Sequence, residues 1–210
     1  MIRLTIGLYA ALLWLSVTVA SAQFVPGSRF IGGGFGVTTP IAPEFGSDLN
    51  VTLQPEFGRF RSENVASGFN LTLGFENQKA SSTRTNNSFT VGIGPFIQRF
   101  LPVVPNFGFV LTGRSGLSYT HTSSKTTSST TTTETTSNNL ALGLSGSPGL
   151  FYQVNPRWLL QVDLGSYQAL SVNYTSGKNG SDVENSAFNY AIGRTFSLGG
   201  SAIRIRYFLR

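Results

Sequence analysis

A chain of 210 residues with no cysteine, with charge on 11% of its positions and a formal net charge of +6, excludes several protein classes at once. Disulfide scaffolds, thiolate metal centres and cysteine nucleophiles all need the missing residue, and ordinary soluble domains carry about 25% charged residues. With 40% apolar residues, 24 glycines and 17 phenylalanines, one domain has ample surface to bury, but something other than charge must match its exterior to its solvent.

The first predicted element is a leader. Arg3 supplies a positive start, residues 6–15 are an apolar core, and Ala20-Ser21-Ala22 fits the small-x-small cleavage rule. Residues 1–22 are therefore expected to be a cleaved signal peptide, with 23–210 as the mature domain and Gln23 its first residue. No cysteine follows the leader, so a lipoprotein anchor is not expected. Removing Arg3 from the +6 total leaves about +5, scattered too widely to form a nucleic-acid patch. No later stretch reaches the ~18 consecutive apolar residues of a membrane-spanning helix.

The mature chain alternates with period 2, the mark of strands with two chemically different faces. A first strand is predicted over 28–37. Next, Val51, Leu53, Pro55 and Phe57 oppose Thr52, Gln54, Glu56 and Gly58; then Phe69, Leu71, Leu73 and Phe75 oppose Gly68, Asn70, Thr72, Gly74 and Glu76. Phe89, Val91, Ile93 and Ile97 follow the same rule, as do Leu140, Leu142, Leu144 and Leu150, and then Trp158, Leu160, Val162 and Leu164. A weak repeat sets the count: residues 54–60 resemble 94–100, with 147–152 a looser copy, and each copy precedes a short turn (62–66, 101–106, 154–157). Three hairpins, the first strand and a last strand over 201–210 give eight. The remaining links, 38–48, 77–87, 120–138 and 175–186, are long and polar. Residues 187–198 also alternate and are read as an extension of strand eight above the membrane.

Soluble barrels put Lys and Glu on their non-apolar face. Here that face carries mostly Gly, Ser, Thr, Asn and Gln, which suits a narrow interior with the apolar face on lipid. The expected fold is all-β: an eight-stranded antiparallel transmembrane β-barrel with short periplasmic turns and long extracellular loops. Phe60, Phe100, Tyr152 and Trp158 near the short turns, and Tyr119 and Tyr174 near the long loops, are candidates for aromatic girdles.

On this pattern, the hairpin repeat and the terminal segment Ala202-Ile203-Arg204-Ile205-Arg206-Tyr207-Phe208-Leu209-Arg210, the chain resembles the small outer membrane protein beta-barrel domain family of the OmpX and OmpA transmembrane-domain type. The resemblance implies residence in the outer membrane, with lipid and the barrel-insertion machinery as partners and no cofactor. It also implies that Ile203, Ile205, Tyr207 and Phe208 form the insertion signal, although such strands end in an aromatic and this one ends in Leu209-Arg210.

Glu56, Glu76, Arg114, Asp163, Arg204 and Arg206 fall on the polar face and are expected to pair across the lumen and plug it. Gly32, Gly34 and Gly36 leave room for the two late arginines to reach Glu56. One other constellation carries chemistry. His121-Thr122-Ser123 places His and Ser on one strand face and resembles the catalytic pair of outer-membrane lipid A deacylases, with Glu134 the nearest carboxylate. It lies in a Thr/Ser tract read as a flexible loop, where catalytic positioning is poor. One His and no Cys give no transition-metal site. The loops are expected to be mobile and to bind little by hydrophobic contact. The expected function is structural or surface interaction, without catalysis; the alternatives are a small-solute porin and, further off, a lipid A hydrolase using His121 and Ser123.

Overall fold

The computed structural model describes residues 24–38, 48–81, 84–127, 132–179, 183–197 and 202–209. The leader over 1–22, Gln23 and most of the 38–48 link lie outside them. The alternating segments form antiparallel strands: β1 (Arg29–Thr38), β2 (Asp48–Ser62), β3 (Val65–Ser81), β4 (Arg84–Val104), β5 (Phe107–Thr127), β6 (Thr132–Asn155), β7 (Trp158–Asp163), β8 (Ser166–Asn179), β9 (Val183–Ser197) and β10 (Ala202–Leu209).

These ten strands make a ring of eight staves. β1 to β6 pair in succession. β7 and β8, separated only by Leu164 and Gly165, run end to end along β6: β7 pairs with Gly149–Asn155 and β8 with Thr135–Gly146. β9 follows β8 and β10 follows β7 in the same way. β10 then pairs with β1 from Arg29↔Leu209 to Phe35↔Ile203, which closes the ring. β9 thus continues the eighth stave, where the sequence pattern placed an extension over 187–198. Two-residue turns at Glu63-Asn64, Pro105-Asn106 and Pro156-Arg157 close one end. At the last of these, Asn155 Oδ1 accepts from the backbone N–H of Arg157 (2.8 Å) and Trp158 (3.0 Å), the local bonding that favours Asn in turns.

The other end departs from expectation. The described residues of the links 77–87, 120–138 and 175–186 are strand, paired as far as Lys79↔Thr85, Thr127↔Thr132 and Asn179↔Val183. β4, β5 and β6 have 21, 21 and 24 residues, about twice the 9–11 residues that cross a bilayer as a tilted strand. Low hydrophobicity does not prevent pairing, because threonine is β-branched and stiff in the strand region. Its hydroxyl also pairs across strands: Thr90 and Thr120 Oγ1 lie 2.9 Å apart, and Ser88 Oγ lies 3.0 Å from Thr122 Oγ1.

The two faces are inverted relative to a soluble barrel. Leu53, Phe57, Phe69, Leu71, Ile93, Ile97, Leu142 and Ile205 face outward and are exposed, whereas Glu56, Gln98, Gln161 and Arg204 are buried inside. Among the described residues no helix is long and apolar enough to cross a membrane.

Candidate functional site

The lumen is filled in two layers. At the short-turn end lies an aromatic plug. Phe30, Phe60, Phe96, Phe100, Phe151 and Phe208 point inward from β1, β2, β4, β6 and β10, and Phe24, just before β1, folds into their midst. Its ring stacks on Phe60 at 4.3 Å between centroids and lies 4.9 Å from Phe100 and 5.9 Å from Phe208. Backbone bonds hold the segment there: Gly27 N–H donates to Phe60 O (2.8 Å) and Ser28 N–H to Val25 O (3.1 Å). Gly58 belongs to the plug by having no side chain, since a Cβ there would meet Phe30 Cζ at 2.5 Å.

Phe60 and Phe100, expected in the outer girdle, are instead lumen residues, 1% and 0% exposed, because period 2 puts them on the same faces as Glu56 and Gln98. Phe208 is likewise not on the lipid face but buried beside Phe24, sharing parity with Arg204 and Arg206. Tyr119, Tyr152, Trp158 and Tyr174 face outward and are exposed, as do Ile203 and Ile205; Tyr207 is half-buried on that face, its ring 5.0 Å from that of Trp158.

Above the plug sits an ion cluster. Arg204 donates through Nε to Asp163 Oδ2 (2.9 Å), through Nη2 to Gln54 Oε1 (2.6 Å) and through Nη1 to Glu56 Oε2 (3.5 Å). Arg206 Nε donates to Glu56 Oε1. Arg114 donates to Ser147 Oγ (2.7 Å) and to Asp163 Oδ2 (3.3 Å). Gln161 Nε2 donates to Asp163 Oδ1 (2.5 Å), and Gln98 Nε2 donates both to Gln161 Oε1 (3.3 Å) and to Thr112 Oγ1 (3.0 Å), joining the cluster to the wall. Gly34 faces the Arg204 side chain at 3.2 Å from where its Cβ would be, so β1 leaves the guanidinium its room. Arg206 Nη1 and Nη2 have no hydrogen-bond partner; its guanidinium carbon lies 5.1 Å from the Phe30 ring centroid, a cation–π arrangement that links the two layers.

Glu76 does not join the cluster. It is half-buried, lines a small cavity with Asn50, Thr52 and Ser88, and takes part in none of the ion pairs among the described residues. Its parity is that of Asn70, but it lies six residues further up β3.

His121, Ser123 and Glu134 lie on the outward face of the β5–β6 hairpin, not on a loop. Ser123 Oγ donates to Glu134 Oε1 (2.9 Å), His121 Nδ1 bonds Asn138 Oδ1 (2.8 Å), and Tyr119 OH donates to the same oxygen (2.7 Å). The base–nucleophile bond that a deacylase pair needs is replaced by two separate contacts. No group of three or more potential metal ligands occurs among the described residues.

No protein-family model matches the chain, and no curated protein matches it. Solved structures are similar in outline. Ail, the attachment invasion locus protein of Yersinia pestis, is 10% identical with a TM-score of 0.48, over 88% of this chain and 100% of that one. Neisserial surface protein A is 16% identical, TM-score 0.43, over 86% and 94%. A major outer membrane protein of Thermus thermophilus is 13% identical, TM-score 0.43, over 87% and 99%. Likeness at this level carries no argument about ligand or chemistry; the fold rests on this chain's own strand pairing. With a closed ring of eight antiparallel staves, an apolar exterior and a polar, charge-bearing lumen, the chain has the architecture of the small outer-membrane β-barrels of the OmpX and OmpA transmembrane-domain type.

Proposed function

We propose that the protein is a closed barrel of the outer membrane whose role is structural or one of surface interaction rather than transport or catalysis. The observation that carries this reading is the pairing of a filled lumen with strands far longer than the membrane needs. Seven phenylalanines and five interlocked charges obstruct the bore, while β4, β5, β6, β8 and β9 continue as a paired sheet beyond the lipid band. That sheet offers Phe188, Tyr190 and Ile192 outward, the last 75% exposed. These three residues lie in the alternating extension over 187–198, so the raised sheet carries apolar surface beside the polar links.

Outer-membrane lipid is the partner of the apolar face. Trp158, Tyr152 and Tyr207 form its lower aromatic edge, and Ile203, Ile205 and Tyr207 present the lipid-side pattern for the insertion machinery. Tyr167, nine residues after Trp158 and exposed, stands about one membrane crossing away; Tyr174, sixteen residues on, stands above it. The test is fractionation of the native host with protease shaving of intact cells, together with planar-bilayer recording. The expected result is an outer-membrane protein with heat-shifted gel mobility, cleavage confined to the raised sheet and its tips, and silent bilayers. Stepwise conductance would establish the porin alternative, and a soluble periplasmic protein would overturn the proposal.

A further inference from the structure

Charges that lie far apart in the sequence are gathered at the short-turn end by strand register. Arg29 and Arg59 stand directly opposite one another on β1 and β2, and both are exposed on the outward face. Side chains at such positions leave the backbone about 5 Å apart, and like charges there repel. Their other cross-strand neighbours are Leu209 and Ser67, and two places along the same faces come Ile31, Phe57 and Arg61. None of these is a carboxylate. Arg61 Nε donates to Ser67 Oγ (2.8 Å), Arg99 stands opposite Val65, and Arg157 Nη1 donates to Tyr207 OH (3.5 Å).

Five exposed arginines thus surround this end, against one carboxylate, Glu63 in the β2–β3 turn. Among the described residues none of the six takes part in an ion pair. The opposite end is built differently: Lys125 faces Glu134 across β5 and β6 and pairs with it at 3.9 Å. The arginines also share their end with the lower aromatic edge. Trp158 is opposite Tyr207, and Tyr207 is opposite Ile31, two residues from Arg29. Arginine stems lie along apolar surface while their charged heads reach the polar boundary, so these guanidinium groups sit where lipid headgroups begin.

We propose that this arginine belt selects anionic phospholipid, of the phosphatidylglycerol class, from the leaflet at the short-turn end, with Arg29, Arg59 and Arg157 holding the headgroup phosphate. A guanidinium fork matches the free oxygens of a phosphate diester, and the lipid supplies the counter-charge that the neighbouring residues do not. A zwitterionic headgroup brings the same phosphate together with a cation of its own, so the net attraction falls to the anionic lipid. The inference rests on the reading of the outward face as lipid-facing.

Trp158 is the reporter, because it is the single tryptophan of residues 23–210. That chain is refolded into vesicles mixing phosphatidylglycerol with phosphatidylcholine, one of the two brominated at a time, and quenching of Trp158 gives their relative affinity at this end. Phosphatidylglycerol is expected to be favoured about threefold or more. Arg29→Gln, Arg59→Gln and Arg157→Gln together are expected to bring the ratio close to one. The corresponding three lysine substitutions keep the charge and are expected to keep the preference, and Lys125→Gln, at the other end, is expected to leave it unchanged. Heat-shifted mobility confirms that each variant is folded. Equal quenching by the two lipids in the unaltered chain, or an undiminished preference in the triple glutamine variant, would overturn the proposal while leaving the membrane barrel intact. No quenching even in vesicles made wholly of brominated phosphatidylcholine would sink the lipid-facing reading and this inference together.

Discussion

Glu56 is the residue on which the lumen chemistry turns, because it alone accepts from both late arginines. Glu56→Gln leaves two buried guanidinium groups short of a counter-charge, and the expected cost is about 3–5 kcal/mol, read from urea unfolding of the barrel refolded in lipid vesicles. Glu56→Leu combined with Arg206→Met removes acceptor and donor together and is expected to cost less than the single change. Gly58→Ala forces a methyl group against the Phe30 ring and is expected to cost about 1–3 kcal/mol by overpacking. Five of the six lumen charges were legible because period 2 fixes which face a side chain takes. The sixth, Glu76, shows what that period omits: parity gives the face, while height in the barrel depends on register between strands, which no single strand encodes. The same parity was available for Phe60 and Phe100. Reading them as membrane-edge aromatics relied on residue type and position near a strand end, and neglected their phase with Glu56 and Gln98.

At the scale of elements, the β5–β6 hairpin is the main departure from the sequence reading. Its Thr/Ser composition matches that of disordered tracts, yet each strand has a neighbour on its other side as well: β4 pairs with β5 up to Arg84↔Thr126, and β8 with β6 up to Thr135↔Asn179. Pairing on both sides turns a low-hydrophobicity segment into sheet, and that context is invisible in the segment itself. Deleting residues 122–136 is expected to leave a heat-modifiable barrel, since the ring closes below them. Among residues 84–88, which pair with Thr122 to Thr126 on one side and with β3 on the other, the amides that point toward β5 are expected to lose hydrogen-exchange protection, while those that point toward β3 and those of 89–104 keep it. Failure of the deleted chain to assemble would show that the raised sheet helps to form the ring. By contrast, the hairpin ends with short turns were legible, because a repeated strand followed by Asn and Pro is a signal confined to a few residues.

For the whole molecule, eight staves were countable from the sequence, but the plug was not, because Phe24 precedes the first strand and belongs to no periodic pattern. Obstruction of the bore has two independent layers, so Phe24→Ala is expected to leave planar bilayers silent, with the ion cluster still in place. The consequence of Phe24 lies instead in time. Its ring meets side chains from β2, β4, β6 and β10, so its site is complete only when the last strand has met the first. A group that docks after closure contributes little to the folding transition state and acts mainly on the reverse step. Phe24→Ala, at about 3–5 kcal/mol for a buried ring, is therefore expected to leave the refolding rate nearly unchanged and to speed unfolding roughly a hundredfold or more.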